Sequence, residues 1–596
     1  MGLFGALSRE ATYISAIART LLSLRGVTPQ SPHTVVDIVE AQARATPHNI
    51  AFHYLDRTMS YAALDAHANR VARWAHANGI GRGDAVALLM ENRPEYVATW
   101  LGLLKAGAVA ALINTNLRGA PLAHSIAIAG AKHAIVGAEL CATFAEAQSQ
   151  IAPAPVAWSA GGASAGMEDF DAALAALSGD AVGPDLRAGV ACKDKAFYIY
   201  TSGTTGLPKA SNFTHLRMLF MMHGFASGLN ARASDRMYNV LPLYHTAGGV
   251  CAIGPAFLTG GSVVIKRKFS VHEFWDDVHR YDATMFQYIG ELCRYLLNAP
   301  VSAHERDHSI RVITGNGLRP EIWRNFQDRF AIPKIIEFYG ATEGNVSMLN
   351  YDGTVGAVGR VPSYMRGIVA TRVVKFDVEK EEPVRGPDGF CVECADNEVG
   401  ETIGRIADEP GKTFDGYTKA ADTQKKILRD VFEKNDAWFR TGDLMRRDAG
   451  GYFYFVDRIG DTFRWKGENV ATSEVAEALG VVPGIREANV YGVQVPGADG
   501  RAGMAALVTG AGFDVSKLPA ALAGNLAPYA RPVFLRLLPQ LEITGTFKQR
   551  KVELVKDGFD PGTIRDPLYW LDPASGAYEP LTAEAVDAIA TGRVKL

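Results

Sequence analysis

The chain has 596 residues, 48% of them hydrophobic and 21% charged, with 61 Lys+Arg against 64 Asp+Glu for a formal net charge of -3. That composition excludes a mainly disordered or collagen-like chain, and the length suffices for about four domain-sized units. The near-neutral balance leaves no global electrostatic footprint for nucleic acid, and six cysteines in so long a chain do not make a disulfide scaffold, so a reducing, cytoplasmic setting is expected.

Residues 1–34 form an amphipathic segment. Leu3, Phe4, Leu7, Ile14, Ile17, Leu21 and Leu24 recur near helical spacing, with Arg9, Arg19 and Arg25 between them. Such a helix either lies in a membrane surface or packs on its own domain, and core-facing helices show the same stripe. The start lacks the order of a secretory signal, Ala6 stands where a myristoylation signal wants Ser or Thr, and Val594-Lys595-Leu596 is not the peroxisomal address.

From Val35 to about Val136, helical patterns alternate with short apolar runs. Helices are predicted over Tyr61–Ala77 and Pro94–Ala106, strands over Ala85–Met90 and Val109–Leu112. That alternation argues for a layered α/β fold with substantial parallel sheet. Residues 152–189, rich in Ala, Gly, Pro and Ser, read as a surface excursion before the next strand. The longest uncharged stretch, His245 to Ile265, holds Pro255 and Gly260-Gly261, which suits a buried helix, turn and strand better than a bilayer span. Cys391 and Cys394 form a lone C-x-x-C with no second pair or nearby histidine, and read as ordinary structural cysteines. A composition change near Gly450 leaves room for a smaller α+β unit.

The sharpest signal runs from Tyr198 to Lys209. An apolar strand, Ala196 to Tyr200, leads into Thr201, Ser202, Gly203, Thr204, Thr205 and Gly206, then Leu207-Pro208-Lys209. Glycines let the backbone turn tightly and aim its N–H groups at anionic oxygens, hydroxyls add donors, and Lys209 adds a mobile positive charge. The common nucleotide loop places Lys directly after the second Gly, which is not the case here. The segment therefore reads as a phosphate loop of another kind.

That loop resembles the signature of adenylate-forming enzymes, which comprise acyl-CoA synthetases, luciferases and peptide-synthetase adenylation domains. The resemblance continues at Gly315-Asn316-Gly317-Leu318, Tyr339-Gly340-Ala341-Thr342-Glu343, Thr441-Gly442-Asp443, Asp457-Arg458-Ile459-Gly460-Asp461 and Thr544-Gly545-Thr546-Phe547-Lys548. The spellings Phe338 to Asn345, Asp461 to Asn469, Gln287 to Tyr295 and Tyr529 to Pro532 are similar to the fatty-acid transport protein branch, the long- and very-long-chain acyl-CoA synthetases. The likeness spans roughly residues 35 to 596.

The resemblance implies an α/β fold, with a large multi-layer adenylation domain of mixed sheets over 35–459 and a smaller mobile α+β domain over 460–596. It implies ATP, Mg²⁺ and CoA as cofactor and co-substrates. The phosphate loop and Lys209 would meet the β- and γ-phosphates; the turn Gly315-Asn316-Gly317-Leu318 would lie beside the adenine and Tyr339 near its face; Gly340 and Ala341 would belong to the same ATP/AMP site, and Thr342 would stand near the α-phosphate. Glu343 would hold Mg²⁺, since that metal prefers hard oxygens. Asp443 and Arg458 would take the ribose hydroxyls, and Gly460 would be the hinge. Tyr244, His245, Tyr288, Ile289 and Gly290 would border the acyl pocket, His245 reading equally as a packed histidine and the segment Gln287 to Tyr295 equally as core, and Lys466, Gly467 and Glu468 would meet CoA. Lys548 would bridge the α-phosphate and the attacking carboxylate. The family more often has Gly before that lysine where this chain has Phe547, so Lys551 stays open as the alternative.

The function implied is a fatty-acid–CoA ligase acting through acyl-AMP, with fatty acid, ATP and CoA as its partners. The enzyme is expected in the cytoplasm, with residues 1–30 as the candidate for a peripheral hold on the cytoplasmic face of a membrane, and with a role in fatty-acid uptake. A ligase loading a carrier protein, a bile-acid–CoA ligase and a membrane uptake protein without chemistry are the alternatives.

Overall fold

The computed structural model describes residues 3–201, 207–378, 380–409, 411–466, 468–496, 498, 500–542 and 551–596. The chain divides into two compact units, residues 1–360 with 405–427 and residues 361–404 with 428–596.

The larger unit is built on two sheets. In the first, among the described residues, seven strands run in the order Glu168–Asp169, Val156–Ala160, His133–Gly137, Ala85–Leu89, Val109–Leu112, Lys195–Thr201, Lys209–Thr214. All neighbours are parallel except the last pair, an antiparallel hairpin. The second orders eight strands as Ser347–Leu349, Ile335–Gly340, Val312–Asn316, Met285–Ile289, Arg236–Asn239, Ser262–Ile265, Ile50–Tyr54, Arg57–Ser60. Its interior is parallel and both edges are antiparallel.

Helices Tyr61–Ala77 and Pro94–Lys105 share one core with strands of both sheets, which explains why the second helix is apolar nearly all round. Trp100 meets Phe197 of the first sheet edge-on at 5.2 Å. Gly102 lets the helices touch, since a Cβ there would stand 2.4 Å from that of Val71. Lys105 at the buried helix end is held by Glu40 at 2.8 Å, Asp65 at 2.7 Å and Asn69 at 2.7 Å.

Residues 152–189 depart from the expected surface excursion. They supply the edge strand Glu168–Asp169, its neighbour Val156–Ala160 and the helix Phe170–Ala175. Phe170 and Leu174 are buried, Phe170 lying edge-on to Trp74 at 5.0 Å and Trp158 to the same ring at 5.2 Å. A six-residue helix is too short to show a period, so its two anchors are hidden among small residues. The stretch from His245 to Ile265 follows expectation: a π-type turn at Ala247–Cys251, the helix Gly254–Thr259, Gly260 at φ +76° and the buried strand Ser262–Ile265.

The N-terminal helix Leu3–Ser23 docks on helix His215–Leu229, Arg19 Nη2 donating to the Ser227 carbonyl at 2.9 Å. Its buried residues are Tyr13 and Ala16; of the expected stripe, Leu24 just beyond the helix is buried and Ile17 half-buried, while Leu7, Ile14 and Leu21 stay exposed, so only part of that stripe packs. The side chains of Leu3 and Phe4 lie outside the described part. Among the described residues no helix is long and apolar enough to cross a membrane.

In the smaller unit, strands Tyr452–Arg458, Ala437–Arg447, Val399–Arg405 and Thr371–Asp377 lie side by side in that order. Cys391 packs with Ile403, Val431 and Trp438, and burial pushes the Cys394 thiol up to about 12. A five-stranded sheet over Ile485–Gln494, Arg501–Thr509, Phe534–Leu538, Leu568–Leu571 and Tyr578–Pro580 shares a separate core with helix Thr472–Gly480.

Candidate active site

The candidate site of the larger unit gathers at the carboxyl ends of parallel strands, where open α/β sheets bind ligands. Strand Val312–Asn316 pairs Gly315 with Tyr288 on one side and with Glu337 on the other. The backbones are pressed together: a Cβ on Gly315 would stand 2.3 Å from the Tyr288 carbonyl, and one on Gly290 1.7 Å from that of Gly317. Gly317 turns at φ +82°, a conformation glycine adopts without strain. Behind this strip Glu337 is buried, accepting from the Tyr288 hydroxyl and, at 3.1 Å, from the Leu318 backbone N–H. Burial pushes its carboxyl up to about 8, against the pull of those donors.

Strand Ile335–Gly340 then delivers Tyr339 to Glu343 as a loop. Thr342 and Thr246 approach hydroxyl to hydroxyl at 3.2 Å, which joins this loop to the Leu241–Ala247 segment. Arg217, on helix His215–Leu229, donates to the carbonyls of Ala341 at 2.9 Å and Glu343 at 3.3 Å, and to that of Gly344. Burial pulls its guanidinium below the usual arginine range, with the carboxylates of Asp415 and Glu343 opposing.

Glu343 accepts from the Tyr417 hydroxyl at 2.9 Å through Oε1; Oε2 takes no hydrogen bond among the described residues. Tyr417 reaches this point because residues 416–418 run along strand Lys209–Thr214. Asn212 N donates to Gly416 O at 2.9 Å, and Thr418 N to Ala210 O at 3.0 Å. At the end of that strand Thr201 and Lys209 are cross-strand partners. The Lys209 ammonium lies 2.8 Å from Asp422 and 5.7 Å from the centre of the Tyr417 ring. Ser202, Gly203, Thr204, Thr205 and Gly206, expected between them, lie outside the described residues, as do Gly467 and Lys548.

The expected acyl-side residues are more enclosed. Tyr244 is buried, with Asn116 Nδ2 donating to its hydroxyl at 3.0 Å, and burial pushes its phenol up to about 12. His245 stacks obliquely on it at 4.8 Å. Tyr288 points into the core, Gly290 is buried against Gly317, and Ile289 is half-buried.

Within the smaller unit, Asp443 and Arg458 are cross-strand partners, Arg458 Nε standing 3.7 Å from Asp443 Oδ1. Gly460 turns at φ +91° with open space about it. Lys551 is engaged by Asp461 at 3.1 Å and Thr472 at 2.8 Å. Lys466, at φ +53°, and Glu468 are exposed on the turn of the hairpin Phe463–Trp465 and Glu468–Val470.

Arg217, Asp415, Tyr417 and Asp422 join this site without belonging to any motif of the sequence. The partners of Arg217 are more than 120 positions away, so no local spacing marks it.

The chain matches the family described as AMP-binding enzyme over residues 39–403 and the AMP-binding enzyme C-terminal domain over 474–548. It is 40% identical to long-chain fatty acid transport protein 2 of Rattus norvegicus, covering 99% of this chain and 96% of that one. It is 41% identical to long-chain fatty acid transport protein 1 of Homo sapiens, covering 99% and 92%. Among solved structures, ATP-bound MatB from Rhodopseudomonas palustris superposes with a TM-score of 0.74 at 24% identity, covering 88% of this chain and 99% of that one, a likeness of fold. The chain belongs to the AMP-binding enzymes, an adenylate-forming family, and within it to the acid–thiol ligases, which work with ATP, Mg²⁺ and CoA.

Proposed function

We propose that the chain is a fatty-acid–CoA ligase that activates long- or very-long-chain acids as acyl-AMP and transfers the acyl group to CoA. The observation that carries this reading is the carboxylate of Glu343, oriented by Tyr417 through one oxygen, on a loop tied down by Arg217 beside the Thr201–Lys209 strand ends. A hard oxygen held this way fits Mg²⁺, which when bound would neutralise phosphate charge. Thr342 would meet the α-phosphate, Lys209 with the loop it closes would hold the β- and γ-phosphates, and Gly315 to Gly317 would lie along the adenine. The preference for long acids draws on the relatives' names, and Tyr244, His245 and Ile289 are its proposed acyl neighbours.

In the smaller unit Asp443 and Arg458 would hold the ribose, and Lys548 would neutralise charge between the α-phosphate and the attacking carboxylate. Lys551 is already bonded to Asp461 and Thr472, which supports giving that task to Lys548. Gly460 would be the hinge of a mobile domain over 460–596, and Lys466 to Glu468 would meet CoA.

The exposed row of the N-terminal helix supports a peripheral position on a membrane. Leu7, Ile14 and Leu21 are 57%, 55% and 63% exposed at intervals of seven residues, on one side of the helix, and Leu22 is 71% exposed beside them. Each such side chain buried in lipid contributes roughly 1.5–3 kcal/mol. Converting a membrane-permeable acid into a charged thioester would hold it on one side, which is how the enzyme would aid uptake.

Incubation of the purified chain with ATP, Mg²⁺, CoA and a mixture of carboxylic acids graded in length tests the proposal. Mass spectrometry should find AMP and chiefly long-chain acyl-CoA; thioesters of short acids alone would overturn the substrate reading.

A further inference from the structure

We infer that His279, His304 and Asp307 form a zinc-type divalent cation site on the surface of the larger unit, outside every residue assigned to nucleotide, acyl chain or CoA. His279 Nδ1 lies 3.4 Å and His304 Nδ1 3.7 Å from Asp307 Oδ2, and the ligand atoms of all three fall within 4.8 Å of one another. Bonds of about 2.0–2.1 Å to nitrogen and oxygen give a tetrahedral zinc site edges of about 3.3–3.4 Å. Two edges are close to that value, and the third is no longer than 4.8 Å.

The two imidazoles stack at 4.1 Å with 16° between their planes, and both present Nδ1 to the same carboxylate. His279 Nδ1 donates to the Asp307 carbonyl at 2.9 Å, a bond that a cation would replace once the imidazole proton moves to Nε2 and frees the Nδ1 lone pair. Two neutral imidazoles and one carboxylate suit zinc, cobalt or nickel better than calcium or magnesium, which take oxygen sets.

The backbone that presents these ligands is fixed from both sides, so little ordering is left for a cation to impose. His279 lies in the last turn of helix Phe274–Arg280, whose Phe274, Trp275 and Val278 are buried. On the facing turn, Glu305 is paired with Arg329 at 2.9 Å, and Arg306 donates to the carbonyls of Asp328 at 2.7 Å and Arg329 at 2.8 Å. His308 lies flat on Trp275 at 5.3 Å. His304 and Asp307 sit among these anchors.

The helix leads into strand Met285–Ile289 and the turn into strand Val312–Asn316, whose far ends form the adenine strip. A bound cation would therefore clamp the starts of two neighbouring strands and stabilise the larger unit.

The test titrates chelator-treated full-length protein with Co²⁺, then Zn²⁺, beside His279→Ala and Asp307→Asn. Both variants change exposed side chains and should keep the far-ultraviolet circular dichroism of the parent. The expected result is one equivalent of Co²⁺ with the visible absorption of a tetrahedral ion, displaced by Zn²⁺. Affinity should fall at least about tenfold in each variant, and Zn²⁺ should raise the Tm of the parent alone. No tetrahedral band, or equal titrations in parent and folded variants, would overturn the site.

Discussion

The Tyr417 hydroxyl donates to Glu343 Oε1 at 2.9 Å, joining residues 74 positions apart in the chain. Burial and the neighbouring carboxylate push the phenol far above the ordinary tyrosine range, so it remains a donor at every working pH. The bond sets the direction in which the second carboxylate oxygen faces.

Tyr417→Phe keeps the ring beside Lys209 and removes only this bond. A hydrogen bond to a charged group contributes about 1.5–3 kcal/mol, so the half-saturating Mg²⁺ concentration for pyrophosphate release should rise roughly tenfold or more. Glu343→Ala should lower that release by orders of magnitude. An unchanged Mg²⁺ titration in both variants would remove Glu343 from the metal site.

Glu337 makes stability depend on pH. Its folded value of about 8 lies above the ordinary 4.5, so the native state holds a proton that the unfolded chain has released. Stability from this group is therefore present below about pH 4.5 and is lost as pH rises to 8, by a few kcal/mol. Glu337→Gln should flatten the decline of Tm between those limits while keeping an acceptor for Tyr288 and Leu318. Identical slopes in parent and variant would contradict the assignment.

The exposed row on the N-terminal helix can be tested without undocking it. Leu7→Glu, Ile14→Glu and Leu21→Glu together should abolish most liposome co-sedimentation and leave the Tm within about a degree, because surface changes cost little. Deleting the helix is a poorer probe, since it also removes buried Tyr13 and Ala16. Unaltered co-sedimentation of the triple variant would end the membrane reading.

At Gly460 the backbone, not crowding, disfavours other residues: φ is +91°, and a Cβ there would meet nothing within 4 Å. Gly460→Val should slow thioester formation more than acyl-AMP formation. Equal slowing of both would argue against a hinge.

The regular elements were legible where a helix is long enough to repeat its apolar stripe or a strand is a continuous apolar run. The helix Tyr61–Ala77 and the strand Val109–Leu112 fall where the apolar spacing predicts them, and the helix Pro94–Lys105 and strand Ala85–Leu89 each end one residue earlier than expected. The first helix was legible as a helix only: Tyr13 and Ala16 make its docked face, and an apolar stripe alone does not say which side meets protein. Glu343 was legible from the residues around it. Tyr417 was not, because strand pairing, rather than any local pattern, carries it there, and a buried acid such as Glu337 inside a strand has no signature in spacing.

The two chemical steps of one chain can be separated and measured one at a time. Pyrophosphate and acyl-AMP are measured with a long-chain acid and ATP in the absence of CoA, and thioester is then measured from supplied acyl-AMP and CoA, for the parent, Lys548→Ala and Lys551→Ala. The expected result is near-stoichiometric acyl-AMP from the parent, its loss in Lys548→Ala, and thioester formation from supplied acyl-AMP largely kept in that variant. Release of ADP in place of pyrophosphate, or no acyl-AMP from any acid, would contradict it.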